Sequence, residues 1–423
     1  MREPWSPRWQ EILQRSRVQI TLLVLTQVLG LAVWFSSAAV MPGLQQEWGI
    51  SASAGAWLTM STQIGFSIGA LAFAVSGIFE KIAPHRLLGF SALGASTLTL
   101  AVATVASSLP TAVGLRFLTG VCLAGVYPVG LRLVASWSLR DRAQALGVLG
   151  GGLAVGSALP HLVNGFGPWP WRTVMVCAAA ACALAGVIGL CAVRPGRRAS
   201  VQPRQHGAGA VRQLISQPVS RYACLGYFGH MFELYAVWAW LPMFALRSRG
   251  DEQPSAAMSI MLFVSLGIGG LIGCVVWGRM ADRSGRHLMA GTALAISGTC
   301  CLVSPLMFSV DTTLQVPFLF VWGAAVIADS GIFSTILSAS TAGGSVGTAL
   351  AVQTSIGFMI TLITIQLTPV IADSIGWRYA LVYLVAGPLF GIGAMYLGAR
   401  AESGLEQSDA VLVAPLAARK PTT

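Results

Sequence analysis

Twelve continuous apolar runs restrict what this chain can fold into more than any other feature. They cover approximately residues 19–41, 53–78, 87–108, 110–136, 143–166, 172–193, 220–246, 256–278, 288–308, 314–340, 347–372 and 378–399. Each is long enough for a bilayer-spanning helix, which needs about 20 mostly apolar residues. A backbone in hydrocarbon must satisfy its own N–H and C=O groups, so only helices and closed barrels cross. Barrel strands alternate apolar and polar positions over about 10 residues, and these runs do not alternate. The expected fold is therefore an all-α integral membrane protein with twelve transmembrane helices. The first run is longer than the roughly 7–15-residue core of a cleaved leader and eleven more follow, so it reads as a span.

Composition removes the alternatives. Hydrophobic residues make up 55% of the 423 residues and charged residues 10%, against about 25% charged in a soluble domain. Mean hydropathy is +0.72. A large soluble domain, a disordered chain, a disulfide scaffold and a collagen-like chain are all excluded. The net charge of +11 sits in short connections rather than on one basic face, so no nucleic-acid partner is expected. Eight cysteines are scattered through the apolar runs without metal or redox spacing, and they read as small apolar fillers. No metal and no cofactor is expected.

The basic residues give the topology. One set of connections holds Arg2, Arg8, Arg15, Arg17, Lys81, Arg86, Arg140, Arg142, Arg194, Arg197, Arg198, Arg204, Arg212, Arg221, Arg279, Arg283 and Arg286. The other set holds only Arg172, Arg247, Arg249 and Arg378. The positive-inside rule then places both termini in the cytoplasm, at the inner membrane. The reading divides the chain into a cytoplasmic segment at 1–18, a six-helix bundle at 19–193, a linker at 194–219, a second bundle at 220–399 and a loosely ordered tail at 400–423. Trp5, Trp48, Trp169, Trp171 and Trp377 fall at span ends and read as interfacial anchors.

The two halves match at an offset that drifts from 200 to 206 residues. Met41-Pro42 pairs with Leu241-Pro242, Gly77 with Gly278, Gly120 with Gly323, Ala145-Leu146 with Ala349-Leu350, and Trp171-Arg172 with Trp377-Arg378. Six spans per unit preserve orientation, so the repeats are expected to be parallel.

Local motifs agree with a duplicated unit. Residues 278–286 read Gly-Arg-Met-Ala-Asp-Arg-Ser-Gly-Arg. This resembles the G-x-x-x-D-R-x-G-R loop of the major facilitator superfamily. The first-half loop, Gly77 to Arg86, departs from it by a displaced acid, Glu80, and by Pro84. Arg116-Phe117-Leu118-Thr119-Gly120 resembles that family's R-x-x-x-G pattern in its fourth helix. Gly147, Gly156, Pro160 and Gly165 resemble a glycine motif of its fifth helix and read as packing and bending elements. Among its members the chain is loosely similar to bacterial nitrate/nitrite and cyanate porters. The sequence Thr354 to Ile360 departs from their glycine-rich motif and argues against nitrate.

The resemblance implies two bundles rocking about a central cavity lined by the first, fourth, seventh and tenth helices. Intramembrane polar groups are costly and mark function by default. The candidates are Arg116, His230, Glu233 and Asp329, with Gln27, Trp34, Tyr127, Trp238 and Gln353 as further contacts. His230 and Glu233 share a helix face and can share a proton. The competing reading is a polar knot around a helix break at Pro242. Asp329 aligns with Val126 across the repeat, so it is asymmetric. Arg116 can pair with Glu233 or Asp329. His161 and Asn164 read as a helix-break element at least as well as a substrate contact. Glu80, Arg132, Gly278, Asp282, Arg283, Gly285 and Arg286 are gating-loop candidates, with Arg142 joining Glu80 and Arg132 in a charge cluster.

No G-x-x-x-x-G-K-[ST], H-E-x-x-H or G-x-S-x-G occurs, so neither ATP hydrolysis nor an enzyme is expected. The expected function is a proton-coupled secondary transporter of a small organic or inorganic anion, working as a monomer in the lipid bilayer. A proton-driven exporter and a non-transporting sensor on the same fold are the alternatives.

Overall fold

The computed structural model describes residues 15–76, 78–137, 142–167, 169–196, 215–341 and 346–417. Among them, only the backbone is described at 74, 75, 79, 80, 135, 142–146, 346–348, 351 and 405–417. The described chain is all helical, with no strand.

In chain order the helices are α1 (Ser16–Gly30), α2 (Ser36–Ala39), α3 (Met41–Trp48), α4 (Ala52–Ser76), α5 (Ile78–Lys81) and α6 (Pro84–Thr104). Then come α7 (Leu109–Leu123), α8 (Tyr127–Trp137), α9 (Arg142–Gly165), α10 (Trp171–Cys191) and α11 (Pro218–Ser248). The remainder are α12 (Ala256–Leu262), α13 (Gly270–Ser284), α14 (Arg286–Met307), α15 (Thr312–Ala328), α16 (Ser330–Ser340), α17 (Val346–Ile375) and α18 (Ala386–Ala417). Among the described residues, 9 helical stretches are long and apolar enough to cross a membrane. Helices α4, α9 and α11 occupy three further apolar runs and are 25, 24 and 31 residues long.

Several runs are not the uninterrupted helices expected. The first breaks after Gly30 into a 3₁₀ turn, Leu31–Val33, before α2. The fourth breaks between Leu123 and Tyr127, where Pro128 removes a backbone donor from the second position of α8. The tenth breaks at Asp329. Those last two breaks fall at Val126 and Asp329, the positions that the repeat offset pairs. The eighth carries a π turn at Phe263–Gly269. Conversely, α11 runs straight through Pro242 and α9 through Pro160, so neither proline makes the break expected there. The tail is also more regular than expected, because α18 continues to Ala417.

Helices α6 and α10 pack together, as do α4 and α7, α11 and α18, and α14 and α18. Contacts between the two halves run through α4 with α17 and α9 with α13. The α4–α7 crossing depends on missing side chains. A Cβ on Gly120 would lie 1.9 Å from the Thr62 carbonyl oxygen, and one on Gly65 1.9 Å from that of Phe117. The second half repeats this at Gly323, 2.1 Å from the Ser265 oxygen. Small residues let membrane helices approach this closely. Gly120→Ala is expected to cost about 1–3 kcal/mol through forced separation. It should lower the melting temperature of the detergent-purified protein. Gly114→Ala is the control, since a Cβ there meets nothing within 4 Å. Equal melting temperatures for both variants would refute the close-packing argument.

Above the ends of α2 and α9 lies a cavity of about 490 Å³. Gln46, Glu47, Asn164, Trp169, Trp171 and Gln253 line it. The Gln253 amide donates to Gln46 at 3.1 Å, bridging the two halves. Of the expected anchors, Trp169 is exposed, but Trp171 is buried and stacks edge-on with Trp48. Its indole N–H donates to Glu47 at 2.6 Å, and Arg172 pairs with the same oxygen at 2.6 Å. Trp377 is half-buried against Trp240, and Trp5 lies outside the described residues.

The Arg172 guanidinium and the Trp171 N–H hold the Glu47 carboxyl below its ordinary pKa. A depressed carboxylate contributes stability above its unfolded pKa and loses it as pH falls through the folded one. The tie is therefore intact at neutral pH and begins to fade below about pH 4.3. The melting-temperature difference between wild type and Arg172→Gln is expected to be small, because the pair is exposed, and to shrink below that pH. A difference that persists in acid would remove the pair as its cause.

Candidate functional site

Arg116 is fully buried on α7, and its partners explain the break in the first run. Its Nη1 donates to the Val33 carbonyl at 2.8 Å and to Ser36 Oγ at 3.3 Å, and Nη2 to the Trp34 carbonyl at 2.7 Å. A helix break strands carbonyls that water would otherwise satisfy. The guanidinium fork replaces that water. Asn164 does the same for Ala39, donating at 2.9 Å. Gln27 bridges the first and fourth runs by donating to the Val126 carbonyl at 3.2 Å. Among the described residues Arg116 pairs with no carboxylate, so the expected pairing with Glu233 or Asp329 is absent in this state. Its Nε is buried without an acceptor.

Two buried acids lie in the second half. Glu233 on α11 accepts from Ser297 Oγ at 2.8 Å and Cys301 Sγ at 3.2 Å, both on α14, and from Trp322 Nε1 of α15 at 3.1 Å. All its partners are neutral. His230, one turn before it, turns instead to the break in the tenth run. Its Nδ1 lies 2.8 Å from Asp329 Oδ1, and Nε2 lies 2.7 Å from Ser330 Oγ. The contact is close, yet no hydrogen-bond donor is aligned on either Asp329 oxygen. His230 and Glu233 therefore do not bond each other. They face different helices and form two separate acid sites, which corrects the expectation of a proton shared between them.

Rings from both halves meet near these acids, between the two halves. Trp34 lies 4.9 Å from Phe66, 5.7 Å from Phe358 and 6.2 Å from Tyr235, measured between ring centroids. Phe35 lies 5.4 Å from Tyr235 and 5.3 Å from Trp238. Phe358 lies 5.1 Å from Tyr235. These side chains are buried, and together they close the middle of the molecule. Thr361 Oγ1 donates to Gln63 Oε1 beside them, linking α17 to α4. Trp34 and Trp238 were candidates from sequence; Phe35, Gln63, Phe66, Tyr235 and Phe358 were missed. Gln63 had a usable signal, being the lone amide in its apolar run. The aromatic residues had none, since a ring in such a run has no mark of which neighbour it faces.

The remaining candidates are dispersed. Tyr127 begins α8, half-buried. Gln353 donates to the Ala223 carbonyl at 3.5 Å, and its Oε1 has no partner. His161 is buried on α9 and lines a small pocket with Met41, Trp240 and Pro242. Gly285 supplies the expected tight turn, with φ of 97°. Gly278 does not: it lies inside α13 with open space around it. Asp282, Arg283 and Arg286 flank that turn and form no ion pair among the described residues. Arg132 is exposed on α8. The side chains of Glu80 and Arg142 lie outside the described residues, so the expected charge cluster does too.

The arrangement resembles known proteins in sequence and in shape. The sequence profile of the Major Facilitator Superfamily matches residues 23–364. A gallate transporter of Pseudomonas putida is 28% identical over 318 residues, covering 66% of this chain and 68% of the relative. A fujikurins efflux protein of Gibberella fujikuroi is 28% identical over 261 residues, 59% of this chain and 52% of that protein. The crystal structure of a bacterial homologue of the human lysosomal transporter Spinster, inward-facing and unoccupied, superposes with a TM-score of 0.70 at 15% identity. That match covers 94% of this chain and 98% of the other. The nucleoside transporter NupG gives a TM-score of 0.70 at 12% identity over 90% and 100%.

Proposed function

The chain belongs to the major facilitator superfamily, and from that premise we propose that it carries a small organic anion across the inner membrane together with protons. It is a multi-pass membrane transporter rather than an enzyme. Two six-helix bundles rock about the central seam, and both termini lie in the cytoplasm. The observation that carries the anion is Arg116. A buried guanidinium without a carboxylate leaves a positive charge that only neutral acceptors, two backbone carbonyls and the Ser36 hydroxyl, offset. Gallate is an organic anion, and the gallate transporter relative supports the same reading.

Glu233 and Asp329 supply proton sites. Each is buried, and Glu233 is surrounded by neutral donors that can hold either protonation state. An acid so placed is expensive as a permanent anion and suited to taking a proton up and releasing it. The test is luminal pH in proteoliposomes containing a pH dye, with pools of small organic acids added outside. Acidification that requires the protein supports symport. Alkalinisation supports proton-driven export, the reading favoured by the efflux-protein relative. Flux of acids without any pH change would overturn proton coupling.

A further inference from the structure

We propose that the occupant of the central seam is an aromatic carboxylate with ring oxygens, stacked between rings of the two halves and held by four buried N–H donors. This rests on the anion reading above and names the chemistry of that anion. Roughly 90% or more of buried polar groups in proteins find a hydrogen-bond partner. Trp34 Nε1, Gln63 Nε2, Arg116 Nε and Trp238 Nε1 do not. The four come from four separate elements, and contacts place them at one level. Trp34 packs on Phe66, one turn from Gln63, and against Tyr235, one turn from Trp238. Arg116 grips the carbonyl of Trp34 itself.

Three of the unpaired amide and carboxylate acceptor groups lie toward the other ends of these helices. Gln27 Oε1, Gln353 Oε1 and the Asp329 oxygens are buried beside Val126, Ala223 and His230. Along α11, His230 and Trp238 are separated by about 12 Å at 1.5 Å per residue. The oxygens at the donor level, among them Gln63 Oε1, Thr361 Oγ1 and Ser36 Oγ, are engaged with other groups or, like Ser67 Oγ, lie one turn away, and none accepts from these four N–H groups. Carboxylate and ring hydroxyl oxygens supply the missing acceptors, and the Arg116 charge favours the anion.

The rings specify the rest of the guest. Trp34, Phe35 and Phe66 from the first half meet Tyr235, Trp238 and Phe358 from the second. In the closed seam they satisfy one another. When the halves part, each loses a stacking partner, and a flat guest ring restores the contact with similar geometry. A puckered aliphatic ring of equal charge cannot.

The experiment is calorimetric titration of the full chain, purified in detergent, with 4-hydroxybenzoate, benzoate and cyclohexanecarboxylate. 4-Hydroxybenzoate is expected to bind at least about tenfold tighter than cyclohexanecarboxylate. Trp238→Phe keeps a ring but removes the donor. It should weaken 4-hydroxybenzoate about tenfold and benzoate less, and Trp238→Tyr should recover part of the loss. Melting temperatures establish that each variant is folded, and the wild-type ligand comparison stands even if one is not. Equal affinity for the aromatic and aliphatic acids overturns the proposal, as does an unchanged affinity in folded Trp238→Phe. An aliphatic acid that drives proton flux while no aromatic acid binds would overturn it and leave the proposed anion transport standing.

Discussion

Glu233→Gln is expected to abolish proton-driven accumulation of substrate while leaving the protein folded. Glutamine has nearly the shape of glutamate, and its amide oxygen can still accept from Trp322 or Ser297, both of which reach the carboxylate in the wild type. What it cannot do is bind and release a proton. For one proton per anion, a pH gradient of one unit supplies about 1.36 kcal/mol, or about tenfold accumulation. Proteoliposomes holding wild type should approach that ratio, and those holding Glu233→Gln should equilibrate near a ratio of about one. Exchange of labelled for unlabelled substrate needs no net proton movement and should survive. Undiminished accumulation by the variant would remove Glu233 from coupling and shift the role to Asp329. That residue has the other buried acid and a histidine neighbour at 2.8 Å.

The sequence disclosed the spans because hydrocarbon imposes a length and an apolarity that soluble folds do not share. It disclosed the cost of Arg116, Glu233 and Asp329 for the same reason. It did not disclose where helices break, because a break is decided by whichever group satisfies its stranded carbonyls. For the first run those groups are Arg116, 83 residues beyond Val33, and Asn164, 125 residues beyond Ala39. Proline was the wrong signal. Membrane helices tolerate it where neighbours compensate, and α11 passes Pro242 with Trp240 donating across to the Ile365 carbonyl at 2.8 Å. Helical spacing put His230 and Glu233 on one face correctly, yet it gave no account of the helices opposite. Glu233 bonds residues 64, 68 and 89 positions away, and His230 bonds Ser330, 100 positions away. Local periodicity says which side chains share a face. Tertiary packing says whether they share a partner.

Arg116 should be the most sensitive position in the first half, because one side chain holds a helix break and supplies the charge an anion would meet. Arg116→Met is expected to strip the Trp34 carbonyl of its donor, at about 1–3 kcal/mol, and to leave the Val33 carbonyl with Ser36 Oγ alone, which donates to it at 2.9 Å. It should therefore melt well below wild type. Arg116→Lys keeps the charge but loses the planar fork that reaches both carbonyls, so it should fall between the two. Stability alone would not separate a brace from a binding group. Ligand protection does: a bound anion stabilises by RT ln(1 + [L]/Kd), which is about 2.7 kcal/mol at one hundred times Kd. Wild type should gain melting temperature with a saturating organic acid, Arg116→Lys should retain part of that gain, and Arg116→Met should show none. If Arg116→Met melts low but is protected as well as wild type, Arg116 is a structural brace only, and the anion must be recognised by the indole and amide donors of the seam. If it melts and transports like wild type, neither role stands, because the buried Trp34 carbonyl would then have lost its donor without consequence.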